Sequence, residues 1–248
     1  MAELIQSSLL AGLSGLRHAF STRTGGVSEG AFASLNLAFN ADAAEAVREN
    51  RRRFLKTLDV PAPKELRQVH GDRLVEAEHV RTDEPGDGLV SEGPETLSVK
   101  TADCVPLLVA RLGMDGCVDG IAALHCGWRG TVAGLARKLV ARLGPASRLF
   151  CSMGPSISRE AFEVGPEVVE AARRSLDGGA PPVVPGRGDR SFLDLPALVR
   201  MHLEVEGVPA TQIEDPAHCT HGEPERFFSY RRDGPCGHHW AVISWPAP

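Results

Sequence analysis

The sequence has no basic excess: 27 Lys and Arg stand against 32 Asp and Glu, for a formal net charge of −5. An extended phosphate-tracking face would demand clustered cations, so nucleic acid is not an expected partner. No run approaches the roughly 20 apolar residues that cross a bilayer, and Met1 to Phe20 has no basic stretch followed by an apolar core. The expectation is a cytoplasmic protein without a membrane partner. Also missing are a Pro/Gly/Ser-rich linker and any repeat of solenoid period. A chain of 248 residues without a divider reads as one domain spanning 1–248. With 42% hydrophobic and 24% charged residues, its composition is that of an ordinary globular protein.

Six cysteines are present: Cys104, Cys117, Cys126, Cys151, Cys219 and Cys236. In a chain of this size with no secretory signal they read as reduced thiols, available for metal or catalysis. The hydrophobic pattern predicts a helix over 41–58, with Val47, Asn50, Phe54, Leu55 and Leu58 on one face and Arg48, Arg51, Arg52 and Lys56 on a solvated one. Strands are predicted over 97–100, 105–110, 120–124, 149–153 and 239–245. Helices are predicted over 131–143 and 166–176, and from an Asp194 N-cap to about 206, with a mobile Gly/Pro-rich loop over 177–189. Strands mixed with helices in this way indicate a single α+β domain.

Three segments concentrate the chemistry: Gln68-Val69-His70-Gly71, Thr101-Ala102-Asp103-Cys104 and His125-Cys126-Gly127-Trp128-Arg129-Gly130. Each sets His70, Cys104 or His125 in a punctuated turn beside a stiff apolar run. Two imidazoles and a thiolate suit zinc, and three protein ligands leave the open fourth position of a catalytic site. Their separations, 34 and 21 residues, match no local zinc-knuckle rule. His79, His202, His218 and His221 read as structural. Asp103 reads either as a carboxylate supporting the ligands or carrying a proton, or as a turn aspartate bonding its own backbone. Arg129, at the start of a predicted helix, reads as an anion contact or a surface salt bridge. Ser21 to Ser28, carrying Arg23, is a hydroxyl- and Gly-rich turn without P-loop spacing. Asn36 suits a polar ligand or a turn cap equally well.

The chain resembles the family known as YfiH-like, laccase-domain or multicopper polyphenol oxidase proteins, regarded as purine nucleoside phosphorylases. The resemblance is carried by Thr22 to Ser28, Ser34-Leu35-Asn36-Leu37, Asn50-Arg51, Gln68 to Gly71, Thr101 to Pro106, His125 to Gly130, Gly154-Pro155-Ser156-Ile157 and Ser229-Tyr230-Arg231-Arg232. It implies a layered α/β/β/α sandwich with mixed sheets and a zinc ion on His70, Cys104 and His125. It further implies phosphorolysis of adenosine, inosine and methylthioadenosine to base and ribose 1-phosphate or methylthioribose 1-phosphate, with adenosine deamination beside it. Expected partners are a nucleoside and phosphate, in a monomer or homodimer. Arg23, Arg129 and Asp103 are the expected catalytic residues; Arg23, Asn36 and Arg129 are the expected substrate contacts. Copper fits less well than zinc, because a multicopper site needs many histidines.

Two positions depart from the family pattern. Cys126 stands where alanine is usual, placing a second thiol after a ligand. Gly237-His238-His239 stands where Gly-Arg is expected, which removes an anion contact. The alternative chemistry is a cysteine hydrolase or amidase with Cys104 as nucleophile and His125 as base, a reading that relatives linked to cell-wall precursor editing make relevant. A zinc-stabilised binding module is the non-enzymatic alternative.

Overall fold

The computed structural model describes residues 2–215 and 217–245. Its strands are β1 (Leu4–Ile5), β2 (Arg17–Ser21), β3 (Leu74–Glu76), β4 (Gly88–Ser91), β5 (Thr96–Thr101), β6 (Val105–Leu112), β7 (Val118–Cys126), β8 (Leu149–Met153), β9 (Glu163–Val164), β10 (Val183–Pro185), β11 (Ser191–Leu193), β12 (Ile213–Glu214) and β13 (His239–Ser244). The helices are α1 (Ser8–Ala11), α2 (Ala44–Leu58), α3 (Trp128–Val132), α4 (Leu135–Leu143), α5 (Pro166–Ser175), α6 (Leu195–Val205) and α7 (Tyr230–Asp233).

A six-stranded mixed sheet runs β12-β8-β6-β7-β4-β3, and a four-stranded antiparallel sheet runs β1-β2-β13-β5. Strands β6 and β7 are nearly unbroken apolar runs because both faces of their sheet are covered. Alternate residues serve different cores. Leu107, Val109, Ala122 and Leu124 pack with Leu135, Leu139, Val168 and Leu198 of the helices α4, α5 and α6. Leu108, Ala110, Ile121 and Ala123 pack with Phe20, Leu97, Val99, Ala241 and Ile243 of the smaller sheet. The far face of that sheet, through Ala19, Trp240 and Val242, takes Phe54 and Leu58 of α2. The layers are therefore α/β/β/α, as the family resemblance implies.

Three elements differ from the sequence expectation. The helix predicted over 131–143 is two, α3 and α4, because Gly134 at φ +86° turns the chain between them. Helix α2 begins at Ala44, since Asp42 is taken by the preceding loop, accepting from Ser28 Oγ and Asn36 Nδ2. The loop over 177–189 contains β10, which pairs antiparallel with β11. Arg51 leaves the solvated face of α2. Its guanidinium lies between the Phe39 and Trp240 rings, 4.3 and 4.5 Å from their centroids, and pairs with Glu65 at 2.6 Å.

Candidate metal centre

Strand register brings the ligand segments together. β7 lies between β6 and β4, with His125 opposite Pro106 and Leu124 opposite Gly88. Cys104 immediately precedes β6 and Asp87 immediately precedes β4, so the two stand on either side of the end of β7. His70 comes from the turn ahead of β3, which is parallel to β4 with Leu74 opposite Gly88. That turn is anchored to the other sheet. Gln68 Nε2 donates to the Lys100 carbonyl at 2.7 Å, and the Lys100 N–H donates to Gln68 Oε1 at 2.8 Å.

One donor atom each from His70, Cys104 and His125 lies within 4.8 Å of the others. His125 is buried, Cys104 half-buried and His70 exposed, so the centre opens on the His70 side. The backbone is held in uncommon geometry around it: His70 has φ +57°, and Asp103, next to Cys104, has φ +100°. Gly127 keeps the space clear. A Cβ there would sit 3.1 Å from Cys104 Sγ and 3.5 Å from His70 Cδ2. Gly130 lets α3 approach the His70 turn, because its Cβ would meet the Gly71 carbonyl oxygen at 2.3 Å.

Asp87, not Asp103, is the carboxylate that supports the ligands. It is fully buried. Its Oδ1 lies 2.8 Å from His125 Nδ1 and accepts the His70 N–H at 2.9 Å. Oδ2 accepts the Gly71 N–H at 2.7 Å and the Val69 N–H at 3.2 Å, while its backbone carbonyl accepts the His125 N–H at 2.7 Å. Burial pushes the carboxyl up, but the His125 and backbone hydrogen bonds outweigh it and hold Asp87 below the usual carboxylate range. An ionised carboxylate only accepts, so His125 must carry its proton on Nδ1 and turn Nε2 toward the other donors. Burial also opposes charge at Cys104 and His125; their mutual attraction overrides it, lowering the thiol and raising the imidazole.

This donor set fits zinc. Two imidazoles and a thiol disposed to ionise converge with an oriented histidine and a cradle that a Cβ would narrow. Among the described residues no other cluster of this kind occurs.

The other predicted site residues fall in different surroundings. Asp103 is buried, with Oδ1 accepting from Thr220 Oγ1 and Oδ2 from the Arg231 N–H, both at 2.7 Å. It braces the Cys104 turn against the C-terminal segment. Arg129 is exposed, stacks 4.5 Å over Trp128, and makes no side-chain hydrogen bond or ion pair with the described residues. Arg23 is committed to the fold: Nε and Nη2 donate to the Ala33 carbonyl, Nη1 to that of Pro224, and the group stacks on Phe228. Asn36 is fully buried, its Oδ1 accepting from the Ala38 and His238 N–H groups and its Nδ2 donating to Ala38 O, Asn40 Oδ1 and Asp42 Oδ2. Its amide organises a loop.

Cys126 points away from the donors. It packs in the apolar core beneath α4, where burial pushes its thiol up, so it does not join the ligand set. All six cysteines are free thiols. Asp87 was legible in principle: in Gly86-Asp87-Gly88 a polar residue stands in a glycine turn beside an apolar run, much as His70 precedes Gly71 and His125 ends the run that Gly127 follows.

Fold and donors together define an α/β/β/α protein with an open two-histidine, one-cysteine centre. The chain belongs to the family described as multi-copper polyphenol oxidoreductase laccase, whose model matches residues 17–246. It is 38% identical over 227 residues to YfiH of Escherichia coli, named a purine nucleoside phosphorylase, covering 88% of both chains. An adenosine deaminase, RL5, from an unknown prokaryote is 39% identical over 144 residues, 56% of this chain and 53% of that protein. A crystal structure from Neisseria meningitidis superposes with a TM-score of 0.88 at 32% identity, covering 99% of each chain.

Proposed function

We propose that the protein is a zinc-dependent purine nucleoside phosphorylase. It takes adenosine, inosine or methylthioadenosine with phosphate and yields the base with ribose 1-phosphate or methylthioribose 1-phosphate, with adenosine deamination as a side activity. The observation that carries this reading is the convergence of His70, Cys104 and His125 around a space held open by Gly127, in a chain alike over most of its length to a named phosphorylase. The named deaminase relative supports the side activity.

Phosphorolysis breaks the bond from the sugar C1′ to the purine nitrogen, joins C1′ to a phosphate oxygen, and leaves charge on the departing base. A zinc ion held by His70, Cys104 and His125 would supply Lewis acidity for that reaction. His125 is fixed for that task by Asp87, which keeps its Nδ1 protonated. Arg129, exposed and unpaired among the described residues in the helix that follows His125, is the phosphate contact; Arg23, whose donors are engaged by Ala33 and Pro224, builds a loop instead. Asp103 and Asn36 serve as framework rather than as proton carrier and substrate contact. The protein acts on small molecules in the cytoplasm, as a monomer or homodimer. No described helix is long and apolar enough to cross a membrane.

Chelation is expected to abolish phosphate-dependent adenine release from adenosine, and zinc to restore it. Arg129→Ala should raise the KM for phosphate about tenfold, consistent with loss of one charge-assisted contact of roughly 1.5 kcal/mol. Activity undiminished by complete zinc removal contradicts the proposal.

One observation favours a second reading. Cys104, His125 and Asp87 follow the nucleophile, base and orienting-acid order of a cysteine hydrolase. That reading leaves His70 without a task. It requires metal-free protein to cleave an amide, and alkylation of Cys104 to stop the cleavage.

A further inference from the structure

His238 lies at the edge of this centre. β13 pairs with β5 so that His239 faces Thr101, which puts the preceding residue where the Thr101–Cys104 turn leaves the sheet. On the same strand Lys100 holds Gln68, two residues before His70.

Its backbone is fixed at both polar groups. The N–H donates to Asn36 Oδ1 at 2.9 Å, and the carbonyl accepts the Leu37 N–H at 3.1 Å. Asn40 is held in turn, its Nδ2 donating to the Cys236 carbonyl at 2.9 Å and its Oδ1 accepting from Asn36 Nδ2 at 3.1 Å. This amide faces His238 Nδ1 at 3.4 Å. So Nδ1 is turned to the protein, and Nε2 has no partner among the described residues. Asn40 and His70 are exposed while His238 is half-buried, so a ligand at the centre has access to this flank. The network leaves the ring little freedom, and a ligand would meet a preorganised polar group.

We infer that His238 is a substrate-binding residue of the centre, its Nε2 hydrogen-bonding the uncharged nucleoside rather than the phosphate. The inference rests on the nucleoside reading of the site. Burial pulls the imidazole down to about 4, so near neutrality it carries no charge to offer an anion. A neutral imidazole discriminates through hydrogen bonds, and losing one costs about three- to tenfold in affinity.

The test uses zinc-loaded full-length protein, with inosine binding followed by calorimetry and KM measured separately for inosine and phosphate. His238→Ala should weaken inosine binding three- to tenfold and raise its KM alike, with zinc content, melting temperature and the phosphate KM unchanged. His238→Gln, which returns an amide at similar reach, should restore binding to within about twofold of wild type. Wild-type affinity in His238→Ala, no rescue by glutamine, or an equal rise in both KM values overturns the inference. If wild-type protein binds no purine nucleoside at all, the reading of the site falls and this assignment with it.

Discussion

Asp87 decides how well the centre is built. A single buried carboxylate receives three backbone N–H groups from the His70 turn and holds the ring of His125. Removing such a partner typically costs 10- to 100-fold in metal affinity. Asp87→Asn is therefore expected to weaken zinc by that factor in chelator competition; unchanged affinity would show that the ligands are set without it. Gly127→Ala should also weaken zinc, since its Cβ would crowd Cys104 Sγ at 3.1 Å. The three candidate ligands stand out in the sequence because each lies in a punctuated turn beside an apolar run. Their convergence does not, because it depends on strand register across residues far apart in sequence. The same limit hid the occupation of Arg23 by the Ala33 and Pro224 carbonyls, and that of Asn36 within its own loop.

At the level of elements, the centre is made by strand ends and kept by one close helix approach. Short apolar runs located β6, β7 and β8 to within two residues at each end, and Asp194 caps α6 as its sequence suggests, accepting the Ala197 N–H at 2.9 Å. Helical periodicity could not show the break between α3 and α4, since Val132 and Leu135 keep the spacing while Gly134 reverses the backbone. Gly130→Ala forces a Cβ onto the Gly71 carbonyl oxygen at 2.3 Å. It should cost about 1–3 kcal/mol in denaturant unfolding and loosen zinc through the adjoining His70. Gly12→Ala, whose Cβ would meet Leu9 O at an ordinary 3.5 Å, is the control that should stay near wild type.

For the whole molecule, the layered architecture buries histidines that must stay neutral. His239 accepts the Phe228 N–H on Nε2 at 2.9 Å, and His18 accepts the Ser7 N–H on Nε2 at 2.9 Å. Burial pulls His239 down to about 3 and lowers His18 and His202 as well. Below the unfolded histidine value of roughly 6.5 the unfolded chain binds more protons, so stability falls as pH falls. His239 alone should cost about 2 kcal/mol by pH 5, above the range in which carboxylates take up protons. Comparing His239→Gln with wild type in urea unfolding between pH 6.5 and 5 isolates this effect; equal slopes would contradict it. Fold class was legible from composition and mixed periodicities, whereas the stacking of the two sheets entered only through resemblance, because alternation marks the faces of a strand without naming what covers them. The activity rests on the centre those layers present. Its most direct test is to incubate purified zinc-loaded protein with adenosine, with and without phosphate, and quantify the products. Adenine and ribose 1-phosphate in equal amounts, only when phosphate is present, is the predicted result; no adenine, or adenine released equally without phosphate, would contradict it.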